Sequence, residues 1–336
     1  MKAALSFAPL NTVMEPDCPK PFDEQERLCV IALSQVEFLT PRDKHRLFAM
    51  LGGPMPLFHL PLAEISRLLG RRLITRAWRP DDLLRSAEDV RARLTEGRTA
   101  SIFYGDSQYP PLLREIPDPP LVLFLRGSLP GSAQHLAGIV GTRFPTGAGR
   151  QAAFRLGRDL GARGVWVVSG LARGIDREAH EGCEQAGGRS VAVLGNGIDL
   201  VYPSSSRGAA MALLKRGGGI LSEYPPGVPP LRYHFPARNR IISGLCRAVV
   251  VVEAPERSGA LFTAEFAAEQ DRDLWVHAAG LQGSTGAGTR RLAEQGAAVA
   301  HGAEEILRSL QMGERLNERM KNEHPGGASV RRAGEA

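Results

Sequence analysis

The amino-acid sequence predicts an α/β protein with one doubly wound, mostly parallel sheet, preceded by a small helical domain. From residue 136 onward, short apolar runs rich in β-branched residues alternate with helical stretches, which is the pattern of βαβ units. Several runs, such as Ala248–Val252, are apolar without interruption, as expected of strands buried on both faces. Before them, residues 22–95 show helical periodicity and few strand signals.

The first part of the chain divides into a leader and a helical region. Residues 1–21 have prolines at positions 9, 16, 19 and 21, and we expect a disordered leader there. Residues 22–95 space their apolar side chains three and four apart, for example in Arg42–Leu51, which predicts a small helical domain. Its expected role is structural or partner docking, without chemistry of its own.

Residues 96–310 are predicted to form the sheet domain, with a proline-rich extension at its start. Because proline cannot lie inside a central strand, residues 109–120 are expected to be an extended connection that leads into a strand at Leu121–Leu125. Six further strands are expected at Leu136–Val140, Val165–Val168, Ser190–Leu194, Ile220–Leu221, Ala248–Val252 and Leu274–Val276. The helices between them are expected at Gly147–Gly161 and from near Ile175, Ser204, Pro236, Ala260 and Thr289. Residues 311–336 are polar, and a disordered tail is expected there.

Composition narrows the functional classes. The net charge of +6 and the isoelectric point near 9.4 favour a polyanionic partner, although such a balance concerns association and not fold. The four cysteines are far apart and form no C-x-x-C pair, which argues against a zinc site or a disulfide framework and favours a cytoplasmic location. No run of 18 apolar residues exists, and no signal peptide is recognised, so no membrane association is expected.

Ligands of doubly wound sheets bind at the carboxyl ends of the strands, so the loops that follow strands carry the candidate site residues. Three such loops combine glycine, a hydroxyl and arginine: residues 141–143, 169–176 and 253–260. Glycine lets the backbone approach an anion, the next helix N-terminus supplies N–H groups, and arginine matches phosphate geometry. Together the loops predict a polyanion site. A single such loop is often only a tight turn, and a carboxylate such as Asp176 in the first turn of a helix often only complements the helix dipole.

The segment 231–247, LRYHFPARNRIISGLCR, contains four arginines and no acidic residue. Tyr233, His234 and Phe235 lie among these arginines. Basic residues interleaved with aromatic ones suit a single nucleic-acid strand, because bases stack on rings while arginines hold phosphates. The alternative is a solvated basic helix face beside a core aromatic residue.

Several enzyme motifs are absent from the sequence. It has no G-x-x-x-x-G-K-[ST] phosphate loop, and Gly195-Asn196-Gly197 lacks the third glycine of a dinucleotide fingerprint. Ser169 lacks the G-x-S-x-G context of a nucleophile, and the histidines show no metal-ligand spacing. The sequence therefore predicts a binding protein without catalytic residues, cofactor or metal.

The same loops closely resemble motifs of the DprA/Smf (DNA-processing protein A) family over about residues 100–300. The motifs that carry the resemblance are GIVGTR (138–143), VVSGLARGIDREAH (167–180), SVAVLGNGIDLVYP (190–203), LSEYPPG (221–227), FPARNRIISGL (235–245) and VVVEAPERSGALFTAEFA (250–267). The resemblance implies an extended Rossmann-like fold and binding of single-stranded DNA. It also implies protection of incoming or recombining DNA, loading of the RecA recombinase and a homodimer. The helical region resembles the sterile-alpha-motif-like domain that often precedes this fold.

Carried over by motif position, the resemblance implies a DNA site along these loops. Arg143 would be the phosphate-binding arginine after the first strand of the parallel sheet. The residues that would form the pocket and the DNA track are Gly141, Thr142, Arg143, Ser169, Gly170, Arg173, Gly174, Phe235, Arg238, Asn239, Arg240, Ser258 and Gly259.

The chain departs from the family pattern in several places. Thr142 stands where serine is more usual, and Tyr233-His234 replaces small residues before Phe235. Residues 277–280 and 288–290 differ from the family's last loop, to which we therefore assign no DNA role. The winged-helix domain found at the C-terminus of many members is also expected to be missing.

Two other functions remain open at this stage. Ser258-Gly259, Thr263 and Glu265 loosely echo the loop of lysine-decarboxylase-like nucleotide phosphoribohydrolases, although the P-G-G-x-G-T-x-x-E string is absent. A structural adaptor with a relic nucleotide pocket is the third possibility. It predicts DNA binding no stronger than that of any basic protein.

Overall fold

The computed structural model of the chain describes residues 20–131 and 134–311. The predicted leader and tail lie almost wholly outside the described residues. Nine strands are found: β1 (Ala100–Phe103), β2 (Val122–Gly127), β3 (Leu136–Val140), β4 (Trp166–Ser169), β5 (Ser190–Leu194), β6 (Gly219–Ser222), β7 (Ala248–Val251), β8 (Asp273–His277) and β9 (Ala298–Ala300). They form one sheet in the order β1-β2-β6-β5-β4-β3-β7-β8-β9.

Helices precede the sheet and then alternate with its strands. The N-terminal region contains α1 (Glu24–Ser34), α2 (Pro41–Leu51), α3 (Leu62–Leu69) and α4 (Pro80–Glu96), and the short α5 (Pro111–Arg114) lies between β1 and β2. Each strand from β3 to β8 is followed by a helix: α6 (Gly147–Gly161), α7 (Ile175–Gln185), α8 (Arg207–Lys215), α9 (His234–Leu245), α10 (Gly259–Glu269) and α11 (Ala287–Glu294). Residues 303–311 are again helical.

The N-terminal helices begin and end at residues that cap them. Asp23 and Thr40 each accept a hydrogen bond from the backbone of the first turn of α1 and α2, as reciprocal capping boxes. The left-handed Gly52 and Gly70 terminate α2 and α3. The prediction of helical structure for this region is confirmed. Its apolar residues share one core with the sheet, through residues such as Phe124 and Ile220, so a separate domain at 22–95 remains a prediction.

The sheet is parallel except at one edge. β1 pairs antiparallel with β2, and β2 pairs antiparallel with β6, while all other neighbours are parallel. From β3 the chain builds outward through β4, β5 and β6, and then returns to place β7 on the other side of β3. The direction of winding therefore reverses between β3 and β7. This is the switch point, where a crevice opens at the carboxyl ends of the strands in doubly wound sheets.

The predicted fold class is confirmed. The bounds of β3, β5 and α6 agree with the prediction, whereas β1 and β9 were not predicted. Among the described residues, no helix is both long and apolar enough to cross a membrane.

Candidate nucleic-acid interface

A cleft of about 780 Å³ opens at the switch point, beside the carboxyl ends of β3 and β7. It is bordered by the β3–α6 loop, the β7–α10 loop and the first half of α9. Eight of the thirteen predicted site residues line this cleft: Gly141, Thr142, Arg143, Phe235, Arg238, Asn239, Ser258 and Gly259. Segments that are more than 100 residues apart in the sequence thus meet at one place.

Arg143 extends into solvent at the mouth of the cleft. Its backbone is held because the Thr142 N–H donates to the Glu253 carbonyl oxygen at 2.7 Å, which ties the end of β3 to the end of β7. The guanidinium carbon of Arg143 lies 5.9 Å from the centre of the Phe235 ring, within cation–π range. Within the described part of the chain, none of the ion pairs involves Arg143, so its charge is available to a ligand.

The N-terminus of α6 is not free to bind an anion. The buried Glu253 side chain accepts hydrogen bonds from the Thr146 N–H at 3.1 Å and from the Thr146 hydroxyl at 2.8 Å. The same hydroxyl accepts the Gly149 N–H at 3.0 Å. An internal carboxylate therefore occupies the position at which the sequence pattern predicted a phosphate.

The β4–α7 loop is likewise satisfied from within the protein. The buried Asp176 carboxylate accepts the N–H groups of Gly170 at 3.0 Å and of Ala172 at 3.4 Å. Burial raises the pKa of Asp176, while the charge of Arg238 opposes that rise. Asp176 therefore holds the β4–α7 loop in place, and it also lies in the first turn of α7.

Four predicted residues of this loop lie outside the cleft lining. Ser169 donates its buried hydroxyl to the Ile139 carbonyl oxygen at 2.6 Å. A side chain at Gly170 would place its Cβ 2.5 Å from the Arg238 guanidinium. Gly174 has φ +79°, a left-handed conformation that favours glycine, and precedes α7 directly. Arg173 is exposed, and its Nε lies 3.3 Å from the Ser205 hydroxyl.

Arg238 and Asn239 border the cleft but also hold the fold together. The buried Arg238 guanidinium donates to the Gly170 carbonyl oxygen at 3.1 Å and to that of Val193. Burial lowers its pKa to about 10, so it stays charged at neutral pH. The Asn239 side-chain amide donates to the Gly259 carbonyl oxygen at 3.1 Å, which joins α9 to the start of α10.

The structure places Arg240 away from the cleft. Its guanidinium is buried and lies 3.1 Å from Asp118 and 2.9 Å from Glu223, at the junction of the proline-rich extension with the sheet. Burial opposes its charge, but the pairing with Glu223 and Asp118 raises the pKa of Arg240 overall. Its role in this geometry is structural, and we leave it out of the proposed DNA site.

Sequence reasoning missed two aromatic residues of the cleft. Phe144 is 77% exposed and Tyr202 is 45% exposed, and both line it. The Tyr202 and Phe235 ring centres are 5.7 Å apart at an interplanar angle of 41°. Phe144 directly follows Arg143, so it could have been predicted from the sequence as part of that loop. The position of Tyr202 depends on how the segment after β5 folds back, which no local pattern shows.

The residues that loosely echo the phosphoribohydrolase loop do not all lie in the cleft. Thr263 is buried and lines the cleft, as Ser258 and Gly259 do. Glu265 is exposed on α10 and does not line the cleft. The similarity to the phosphoribohydrolase loop therefore extends to Ser258, Gly259 and Thr263 in the cleft, but not to Glu265.

Comparison with known proteins places this architecture in a family. The family model of DNA recombination-mediator protein A matches residues 100–311. Protein Smf of Synechocystis is 44% identical over 214 residues, which cover 61% of this chain and 52% of that protein. Protein Smf of Escherichia coli is 43% identical over 205 residues, 61% of this chain and 55% of that protein. The chain thus spans about half the length of these two curated relatives.

Solved structures extend the similarity to three dimensions. DNA processing protein A (DprA) from Streptococcus pneumoniae superposes with a TM-score of 0.68 and 30% identity, over 86% of this chain and 98% of that one. DprA from Helicobacter pylori, whose structure is described as revealing a single-stranded DNA binding mode, superposes with a TM-score of 0.56 and 26% identity. That match covers 64% of this chain and 97% of the other.

Proposed function

Since this chain belongs to the DNA recombination-mediator protein A (DprA/Smf) family, we propose that it binds single-stranded DNA in the cleft at the switch point of its sheet. The bound strand would serve DNA recombination or transformation. Loading of RecA, a homodimeric assembly, a cytoplasmic location and the absence of an enzymatic step belong to the same proposal. These four rest on the family resemblance.

The observation that carries the proposal is the combination of charge and aromatic surface in one cleft. Arg143, Arg232 and Arg257 line it and are exposed. Asp176 is the one carboxylate residue of the lining, and its buried charge faces Arg238. The local charge is therefore positive, which attracts a phosphate backbone.

The aromatic rings favour a single strand over a duplex. Phe235, Tyr202 and Phe144 line the same cleft as the exposed arginines. Rings can stack on unpaired bases, whereas the bases of a duplex are already stacked on each other. Contacts to phosphate carry no sequence information, so we expect little base preference.

The test is a titration of labelled oligonucleotides, single-stranded and duplex, at several salt concentrations. We expect tighter binding of the single strand at every salt concentration. Arg143→Ala should weaken that binding, and the slope of log affinity against log salt should fall by about 0.7, which is the contribution of one phosphate bound by a cationic side chain. Arg155→Ala is the matched control, since Arg155 is an exposed arginine of α6 outside the cleft.

Two results would contradict the proposal. Equal affinity for single strand and duplex at physiological salt would favour the adaptor alternative, with DNA binding no stronger than that of a basic surface. Equal reductions in affinity for Arg143→Ala and Arg155→Ala would place the DNA somewhere other than the cleft. The RecA part is tested separately, by the rate of RecA filament formation on single-stranded DNA with and without this protein.

A further inference from the structure

A carboxylate of the helical region reaches the edge of the candidate DNA site. Glu37 lies in the turn between α1 and α2, almost 200 residues before α9 in the sequence. Its Oε2 accepts the Tyr233 hydroxyl at 2.8 Å, and its Oε1 lies 3.5 Å from Nε2 of His234. Glu37 thus accepts a hydrogen bond from Tyr233 and lies near the His234 ring, whose Nε2 has no hydrogen-bond partner among the described residues.

These contacts fall where α9 begins. Tyr233 is the N-cap residue, and His234 and Phe235 are the first two residues of the helix. The first turn of α9 contains no acidic residue, and no side chain caps it. Glu37 therefore reaches the start of α9 through the Tyr233 side chain, and it does not cap the backbone of the helix.

Packing holds His234 but not Tyr233. The His234 ring is buried and stacks on Tyr224, with ring centres 3.9 Å apart and an interplanar angle of 24°. Tyr233 is 57% exposed and touches the His234 ring edge-on at 4.7 Å. The bond from its hydroxyl to Glu37 is therefore the main restraint on the Tyr233 side chain.

The residue that follows, Phe235, presents its ring to the cleft. The Phe235 ring lies 5.7 Å from the Tyr202 ring and 5.9 Å from the Arg143 guanidinium. A small displacement at the start of α9 would move the Phe235 ring out of this position, because side-chain direction in a helix follows the backbone.

We propose that Glu37 is a positioning residue for DNA binding, which fixes Phe235 in the cleft through its hydrogen bond to Tyr233. This inference rests on the proposed function. If Glu37 has this role, the helical region contributes to the DNA site although Glu37 itself does not contact DNA. Charge alone predicts the opposite effect, because a carboxylate beside a DNA track repels phosphate and its removal should tighten binding.

Single substitutions separate the two effects. Glu37→Ala removes both the acceptor and the charge, and we expect three- to tenfold weaker binding of single-stranded DNA. Tyr233→Phe removes the donor without a change of charge and should weaken binding to a similar extent. Glu37→Gln keeps an oxygen acceptor for the Tyr233 hydroxyl, so it should bind at least as tightly as the unmodified protein. Glu64→Ala is the matched control, because Glu64 pairs with Arg67 inside α3.

Two further measurements show whether Glu37 acts through Phe235. In a Phe235→Ala background, Glu37→Ala should cause no further reduction in affinity. With an oligonucleotide that carries 2-aminopurine, Glu37→Ala should reduce the fluorescence change caused by stacking. The salt dependence should stay the same, since Arg143 still binds its phosphate. A merely destabilised protein would show neither pattern, and urea unfolding measures its stability directly.

The outcomes distinguish this inference from the proposed function. If the unmodified protein does not prefer single-stranded DNA, or Phe235→Ala binds normally, the proposed site is wrong and this inference falls with it. If Phe235→Ala weakens binding but Glu37→Ala and Tyr233→Phe bind as well as the unmodified protein, only the positioning role is refuted. An equal effect of Glu37→Ala in the presence and absence of the Phe235 ring refutes it as well.

Discussion

Arg240 offers a direct test of the distinction between a structural arginine and a DNA ligand. Its side chain is 4% exposed and pairs with Asp118 and Glu223, which are 29% and 19% exposed. We predict that Arg240→Met destabilises the protein and leaves its affinity for single-stranded DNA within twofold. The methionine fills similar space, but the two carboxylates lose their common partner.

The size of the effect follows from the two unpaired carboxylates. Removal of one partner from a buried ion pair costs about 3–5 kcal/mol, because the remaining charge is left without compensation. Both carboxylates keep some contact with water, so we expect the lower end, about 3 kcal/mol. Unfolding of about 300 residues raises the entropy by about 0.6 kcal/mol/K, so a loss of about 3 kcal/mol lowers the melting temperature by about 5 °C.

Urea unfolding gives the change in stability, and DNA titration at a temperature where the variant is folded gives the affinity. Addition of Asp118→Asn and Glu223→Gln to the methionine variant should restore part of the stability, since no unpaired charge then remains. Arg155→Met is the control, because Arg155 is exposed on α6 and lies outside the cleft. Normal stability together with a tenfold reduction in affinity would show that Arg240 binds DNA and that our placement of the site is wrong.

Three further predictions concern single side chains. Arg143→Lys should bind DNA more tightly than Arg143→Ala but less tightly than the unmodified protein, because a point charge cannot replace the planar guanidinium. Full affinity of Arg143→Lys in a DNA titration would argue against bidentate phosphate binding. Burial lowers the pKa of His180 to about 4, so the protein should lose stability as the pH falls from 6.5 to 4, by up to about 3 kcal/mol. His180→Gln should flatten this dependence in urea unfolding, and an unchanged pH profile would contradict the assignment. Burial likewise lowers the pKa of Lys44 to about 8, so the unmodified protein should gain stability between pH 8 and 10.5, and Lys44→Met should be the more stable form at pH 7. Lower stability of that variant at pH 7 would show that the lysine charge is well compensated.

The fold was largely predictable because its strands are buried on both faces. A run such as Ala248–Val252 has no polar residue to interrupt it, so the strand is visible in the sequence alone. β1 and β9 were missed for the opposite reason. Both lie at the edges of the sheet and are only three or four residues long, and two residues of each strand are not buried. Their strand conformation depends on pairing with a neighbour, which a local pattern does not contain.

The site was predictable only in part, because an arginine in a sequence carries no mark of burial. Arg238 and Arg240 were both assigned to the DNA track. In a helix, residues two positions apart point in nearly opposite directions, so these two side chains could not both face one cleft. Since a helix was already expected from near Pro236, this geometric argument was available from the sequence. The partners of Arg240 were not available, because Asp118 is more than 100 residues away.

We expect side chains to supply most of the affinity of the proposed DNA site, because the N–H groups of Thr146, Gly149, Gly170 and Ala172 in its first two loops are bound within the protein. Glu253 caps α6, and Asp176 binds the loop before α7. The exposed charges left for DNA are Arg143, Arg232 and Arg257. Three phosphate contacts by these arginines give a log–log salt slope of about −2 for a single strand. A measured slope near −2 would mean that stacking on the aromatic rings supplies the rest of the affinity, whereas a much steeper slope would require a basic surface beyond the cleft.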